Sequence, residues 1–235
     1  MKEKTWKHIW YASILLYAVT LFYSFVHNIR AGDWEHVGMA FVAVLTPCIV
    51  PAVFRVFRWK PVYEIYILSN AFTYFASIWG GSLEAYRFWG YDKLLHFSSG
   101  WLLSAAVAML YFAIKQTNEF ADKKDCLIFL IFLNTGNMAV AELWEFFEYA
   151  MLVFFQNDCI NHYTQGVRDS MNDMLCAAVA GILLTLCFVR YYKTGKKTFL
   201  ICTCEKFYER NVKSRNTKSN PLKPVINKDC PHILS

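Results

Sequence analysis

Six stretches of roughly 20 predominantly apolar residues run through this chain, each long enough to cross a hydrocarbon core about 30 Å thick. They cover about 10–26, 37–54, 62–79, 94–114, 127–155 and 171–192. A backbone surrounded by lipid has no water to satisfy its N–H and C=O groups, so each stretch must be a helix. Barrel strands would instead alternate polar and apolar residues over short segments, which these runs do not do. The sequence therefore predicts an all-α, multi-pass membrane protein. Residues 1–192 form a six-helix transmembrane domain and 193–235 a basic cytoplasmic tail.

Composition agrees: 56% of residues are hydrophobic and 18% charged, against roughly a quarter charged in soluble domains. Lys2, Lys4 and Lys7 before the first apolar run look like a signal-peptide start. Without a convincing small-residue cleavage site, the run reads as an uncleaved first helix.

Lys and Arg near the span ends set the orientation. Thirteen fall on the side of the N-terminus, the 55–60 and 115–124 connections and the segment after the last span; four fall on the other side. That bias puts both termini in the cytoplasm and the chain in the plasma membrane. The formal charge of +6 comes from the tail, which is expected to be mobile or loosely docked on anionic lipid. No recognition motif points to nucleic acid. The eight cysteines lie mostly in apolar spans or in the tail, so they read as reduced thiols rather than a disulfide framework. In the tail, Cys202 and Cys204 with Cys230 and His232 would make a four-ligand zinc set, though Cys-x-Cys is tighter than the usual spacing. Pro47 and Pro51 predict a kink in the second span. Asn134-Thr135-Gly136-Asn137 marks a point where the long fifth span can bend.

Three polar clusters interrupt the apolar spans, and the predicted orientation puts all of them at the outer leaflet. Asp92 and His96 stand at i and i+4 where the fourth span begins. Glu142, Glu145 and Glu148 fan over roughly 120° of the fifth helix. Arg168, Asp169 and Asp173 open the sixth. Carboxylates this close repel one another near lipid and need a proton, a cation or an arginine, for which Arg168 is the charge partner at hand.

Asp92, His96, Glu145, Glu148, Asp169 and Asp173 are thus candidate ligands for a divalent ion such as Mg²⁺, Mn²⁺ or Zn²⁺. His96, Glu145 and Asp173 are also candidates for acid or base chemistry. A proton or cation relay uses the same groups, as does a purely structural arrangement. In the latter, Asp92 caps the fourth helix, Asp169 or Ser170 caps the sixth, and Arg168 forms ion pairs in the loop.

These residues resemble a known motif layout. Asp92-Lys93-x-x-His96-Phe97 is similar to the first motif of the VanZ-like membrane proteins. The match is closer to the YjdF-like family of inner-membrane proteins. It takes in His96-Phe97-x-x-Gly100, Trp144-Glu145-x-x-Glu148-Tyr149, Thr164-Gln165-Gly166 and Asp169-x-x-x-Asp173-Met174. The chain departs from the VanZ-like pattern at Glu148, where Gln is usual, and at Ala177, where Asn is usual. The segment from Gly166 to Asp169 is one residue shorter than in YjdF-like proteins. The resemblance implies a small helical membrane protein and does not imply a particular activity.

From the residues, the expected function is binding of a cation or polar head group at the outer leaflet. The alternatives are a metal-dependent enzyme acting on a lipid or lipid-linked substrate and, less favoured, a cation- or proton-coupled transporter.

Overall fold

A computed structural model describes residues 3–159 and 161–214. No strand occurs among them. The chain divides at residues 95 and 96 into two units, each with its own packing. Among the described residues, five helical segments are long and apolar enough to cross a membrane: Glu3–Ala31, Trp34–Val56, Tyr91–Lys115, Lys123–Phe155 and Arg168–Thr194.

The first unit is built on α1 (Glu3–Ala31). A two-residue connection leads to α2 (Trp34–Leu45), whose N-cap Asp33 accepts the backbone N–H of His36. The expected proline kink takes the form of a 3₁₀ turn at Thr46–Cys48, with Pro47 inside it, before α3 (Ile49–Val56) resumes. Then α4 (Tyr63–Thr73) passes without a break into a π-helical stretch, Tyr74–Ser82.

Polar pairs set the directions of these helices. Ser13 meets Asn70, Thr20 meets Tyr74, and Ser24 meets Ser82, so α1 and the α4 segment run parallel. Tyr17 donates to the Ala43 carbonyl at 2.7 Å while Phe25 packs on Phe41, so α1 and α2 run antiparallel. Side-chain hydrogen bonds of this kind hold helices together where apolar surface faces lipid and gains little by meeting apolar surface.

The second unit contains most of α5 (Tyr91–Lys115), together with α6 (Lys123–Phe155), a single turn α7 (His162–Gln165), α8 (Arg168–Thr194) and α9 (Phe199–Tyr208). Small residues let three of these helices approach closely. A Cβ on Gly100 would lie 2.6 Å from the Ala177 Cα, one on Gly136 2.7 Å from Val107, and one on Gly181 2.8 Å from Asn137. Hence α5 and α8 run parallel and α6 runs against both. Away from the glycines the core is aromatic, with Phe112 stacked on Phe129 and Phe129 edge-on to Phe188. The segment Asn134-Thr135-Gly136-Asn137 is helical throughout, inside α6. Asn134 donates to Thr185 and Asn137 to the Ala177 carbonyl, so these polar residues tie α6 to α8.

The expectation of a mobile or loosely docked tail is corrected over residues 199–213. Ile201, Cys204 and Phe207 are spaced at three-residue intervals, and each is about 1% exposed. Ile201 and Cys204 belong to the same core cluster as Ala108, Phe112 and Leu184. The Cys204 thiol lies 3.6 Å from the Ala105 carbonyl, and burial pushes it up to about 12. A π-helical turn, Glu209–Lys213, continues the helix. Cys230 and His232 of the tail zinc set lie outside the described residues.

Candidate functional site

In the second unit, parallel α5 and α8 begin at one end of the bundle, and antiparallel α6 brings its C-terminal half to that same end. His96 precedes Gly100 by one turn, and Asp173 precedes Ala177 by one turn. The close Gly100–Ala177 contact therefore sets the two side chains at equal height. The His96 Nε2 lies 3.8 Å from an Asp173 carboxylate oxygen, with His96 13% and Asp173 2% exposed.

On α6 the three glutamates separate by face. Glu142 is exposed, Glu145 buried and Glu148 partly buried. One ligand atom from each of His96, Glu145 and Glu148 falls within 4.8 Å of the other two. Glu148 accepts the indole N–H of Trp144, one turn earlier, at 2.8 Å, which orients one of its carboxylate oxygens.

The first turn of α8 differs from the capping arrangement considered for it. Its N-cap position is Val167, which offers no side-chain acceptor. Asp169 is 2% exposed and accepts from Asn161 of the loop before α7 at 2.7 Å. Arg168 is exposed beside it. Asp92 stands within α5, not at its cap, 2.9 Å from the Lys93 ammonium in the first unit.

Three carboxylates, Glu145, Asp169 and Asp173, are thus buried at one end of the bundle beside a nearly buried imidazole. Nitrogen and carboxylate donors at this spacing suit a borderline or hard divalent ion, and the same groups can exchange a proton. Two supporting residues had no assigned role in the sequence. Trp144 was detectable through its i, i+4 spacing from Glu148. Asn161 had no such signal, because it reaches Asp169 from a loop across a turn.

A family model matches residues 9–194, the model of a family described as "Predicted membrane protein (DUF2238)". The chain belongs to this DUF2238 family. The match is the family that the YjdF-like motifs pointed to, and it takes in all three polar clusters while stopping at the end of α8, before α9. No curated protein and no solved structure matches the chain. DUF2238 membership makes this a membrane protein and leaves its chemistry to be argued from the site.

Proposed function

We propose that this DUF2238 protein binds a divalent cation at the outer-leaflet level of the plasma membrane, with His96, Glu145, Glu148 and Asp173 as ligands and Asp169 beside them. The observation that carries the reading is the convergence of His96, Glu145 and Glu148 from two helices to within 4.8 Å, with Asp173 of a third helix 3.8 Å from the same imidazole. An anionic cluster facing lipid is costly, and a bound cation offsets that cost.

The topology behind "outer" has six crossings with both termini cytoplasmic. Tyr63–Ser82 supplies the sixth crossing: its 20 helical residues run beside and parallel to α1 from Ser13 to Asn28, as expected of a span two crossings later. Thirteen basic residues on one side against four on the other set the direction. Arg168, exposed at the end of α8 where the site lies, serves as a counter-charge to incoming anionic groups.

A second reading is favoured by the neighbours of Glu145. Trp144, Phe146 and Phe147 are exposed around it, an aromatic collar suited to the headgroup region. On this reading Glu145 and Glu148 would hold the ion, which would supply Lewis-acid polarisation of a lipid head group or lipid-linked substrate, while His96 or Asp173, not bound to it, would move the proton.

The deciding experiment is metal analysis of the purified protein beside Glu145→Gln/Glu148→Gln. The reading requires a stoichiometric divalent ion that the double variant loses while keeping its helical circular dichroism. Equal metal content in both would end it.

A further inference from the structure

A second group of ligand-type side chains lies in the first unit, remote in sequence from the motifs above. Asp33 caps α2, His36 follows on its first turn, and Glu84 stands in the turn after the π-helical stretch. The His36 Nδ1 is 2.7 Å from Asp33 Oδ2 and 3.9 Å from Glu84 Oε1. One ligand atom from each of the three residues lies within 4.8 Å of the other two.

Each carboxylate divides its oxygens in the same way. Asp33 gives Oδ1 to the His36 backbone N–H and turns Oδ2 to the imidazole; Glu84 gives Oε2 to Arg87 and turns Oε1 to the imidazole. Fixing one oxygen by a protein donor and aiming the other inward is how outer partners orient metal ligands.

The two segments are also tied together from below. Ser82, two residues before Glu84 and 1% exposed, donates to the His36 carbonyl at 3.2 Å and is held by Ser24 at 2.6 Å and Asn28 at 3.1 Å.

We infer that Asp33, His36 and Glu84 form a Zn²⁺ site, with water completing the shell. Around a tetrahedral ion with bonds of 2.0–2.2 Å, ligand atoms stand roughly 3.4 Å apart. The two His36 separations bracket that distance and the Asp33–Glu84 separation is within 4.8 Å, so side-chain shifts of up to about 1.4 Å admit the ion. One imidazole with two carboxylates fills three of zinc's four tetrahedral positions from ligand types that zinc accepts and leaves the fourth to water. The side chains are 24–43% exposed, so the site is accessible from solvent without an opening motion. Binding requires a neutral imidazole, and the ion then replaces the direct His36–Asp33 contact.

The test is a Zn²⁺ competition titration against a chromophoric chelator on the full chain carrying Glu145→Gln/Glu148→Gln, which silences the other site. This background should take up one zinc equivalent. His36→Gln, Asp33→Asn and Glu84→Gln should each weaken it more than about a hundredfold, beyond the roughly 10–100-fold effect of losing an outer partner. Asn serves as an N-cap as well as Asp, so Asp33→Asn separates loss of the ligand from loss of the helix. Introduced into the wild-type chain, the same three substitutions should remove one equivalent, which makes the result independent of how the background folds. A background that takes no zinc, or three variants that bind it unchanged, would overturn the site.

Discussion

The two units solve the same problem, holding apolar helices together in lipid, by different means. In the first, α1 is joined to its neighbours by neutral hydrogen bonds along its length, from Ser13 through Tyr17, Thr20 and Ser24 to Asn28. In the second, α5, α6 and α8 meet through glycines and an aromatic core, and the buried acids collect at one end. Neutral polar pairs are adequate as glue, because breaking one leaves small dipoles that find other partners. Carboxylates are expensive in that setting and are retained where they do something. Tight glycine contacts then serve function, because they fix His96 against Asp173 to within a fraction of a turn.

The largest effect should come from breaking the close approach in the second unit. In Gly100→Ala the new Cβ would meet the Ala177 backbone at 2.6–3.1 Å, where no side chain can rotate aside. Overpacking of this kind costs about 1–3 kcal/mol and here pushes α5 from α8. Unfolding by denaturing detergent should register that loss, and the site's metal should fall with it. Gly38→Ala in α2 is the control: nothing lies within 4 Å of its Cβ, so a mid-helix alanine should be neutral or stabilise by about 0.5–1 kcal/mol. Equal costs at the two glycines would remove the contrast between the units.

The hydrogen-bonded unit should lose less. Ser24→Ala deletes the 2.6 Å bond to Ser82, both residues being about 1% exposed or less. Membrane hydrogen bonds average about 0.6 kcal/mol, with a maximum near 1.7. Because Ser82 also holds the His36 carbonyl, the same substitution should loosen the Asp33–His36–Glu84 group without touching a ligand. A cost above that of Gly100→Ala would mean the first unit depends on its polar ladder more than the second depends on packing.

What could be read from the sequence follows the range over which each interaction acts. Apolar length and the need to satisfy the backbone made the all-helical membrane architecture legible, since both are local, and five helices among the described residues are long and apolar enough to cross a membrane. The i, i+3 spacing put Glu145 near Glu148 on α6. Two features were not legible. α9 was missed because its buried stripe is Ile201, Cys204 and Phe207 among Lys and Glu, a pattern too sparse to read as a packed helix until α5 and α8 provide a surface for it. Asp33 and His36 were visible at i, i+3, but Glu84 joins them from 48 residues further on, through contacts made by Ser82. The role of Asn134 and Asn137 was hidden for the same reason: their partners lie on α8.

The smallest effect sits where α9 joins the second unit. The Lys197 ammonium is 2.7 Å from Glu205, and that hydrogen bond raises its pKa above the ordinary lysine value. A base held charged by its partner stabilises the fold fully below the unfolded lysine pKa and loses that contribution as pH rises through the folded one. Lys197 is 43% exposed, so solvent screens the pair and Lys197→Met should cost only a few tenths of a kcal/mol. Thermal unfolding should show a small deficit near neutral pH that fades in high salt and again in strong alkali. The buried stripe of α9 carries the rest of the attachment, so Cys204 should stay unreactive to maleimide in Lys197→Met while the exposed Cys202 labels. Labelling of Cys204 in that variant would show that the ion pair, rather than apolar packing, holds α9 in place.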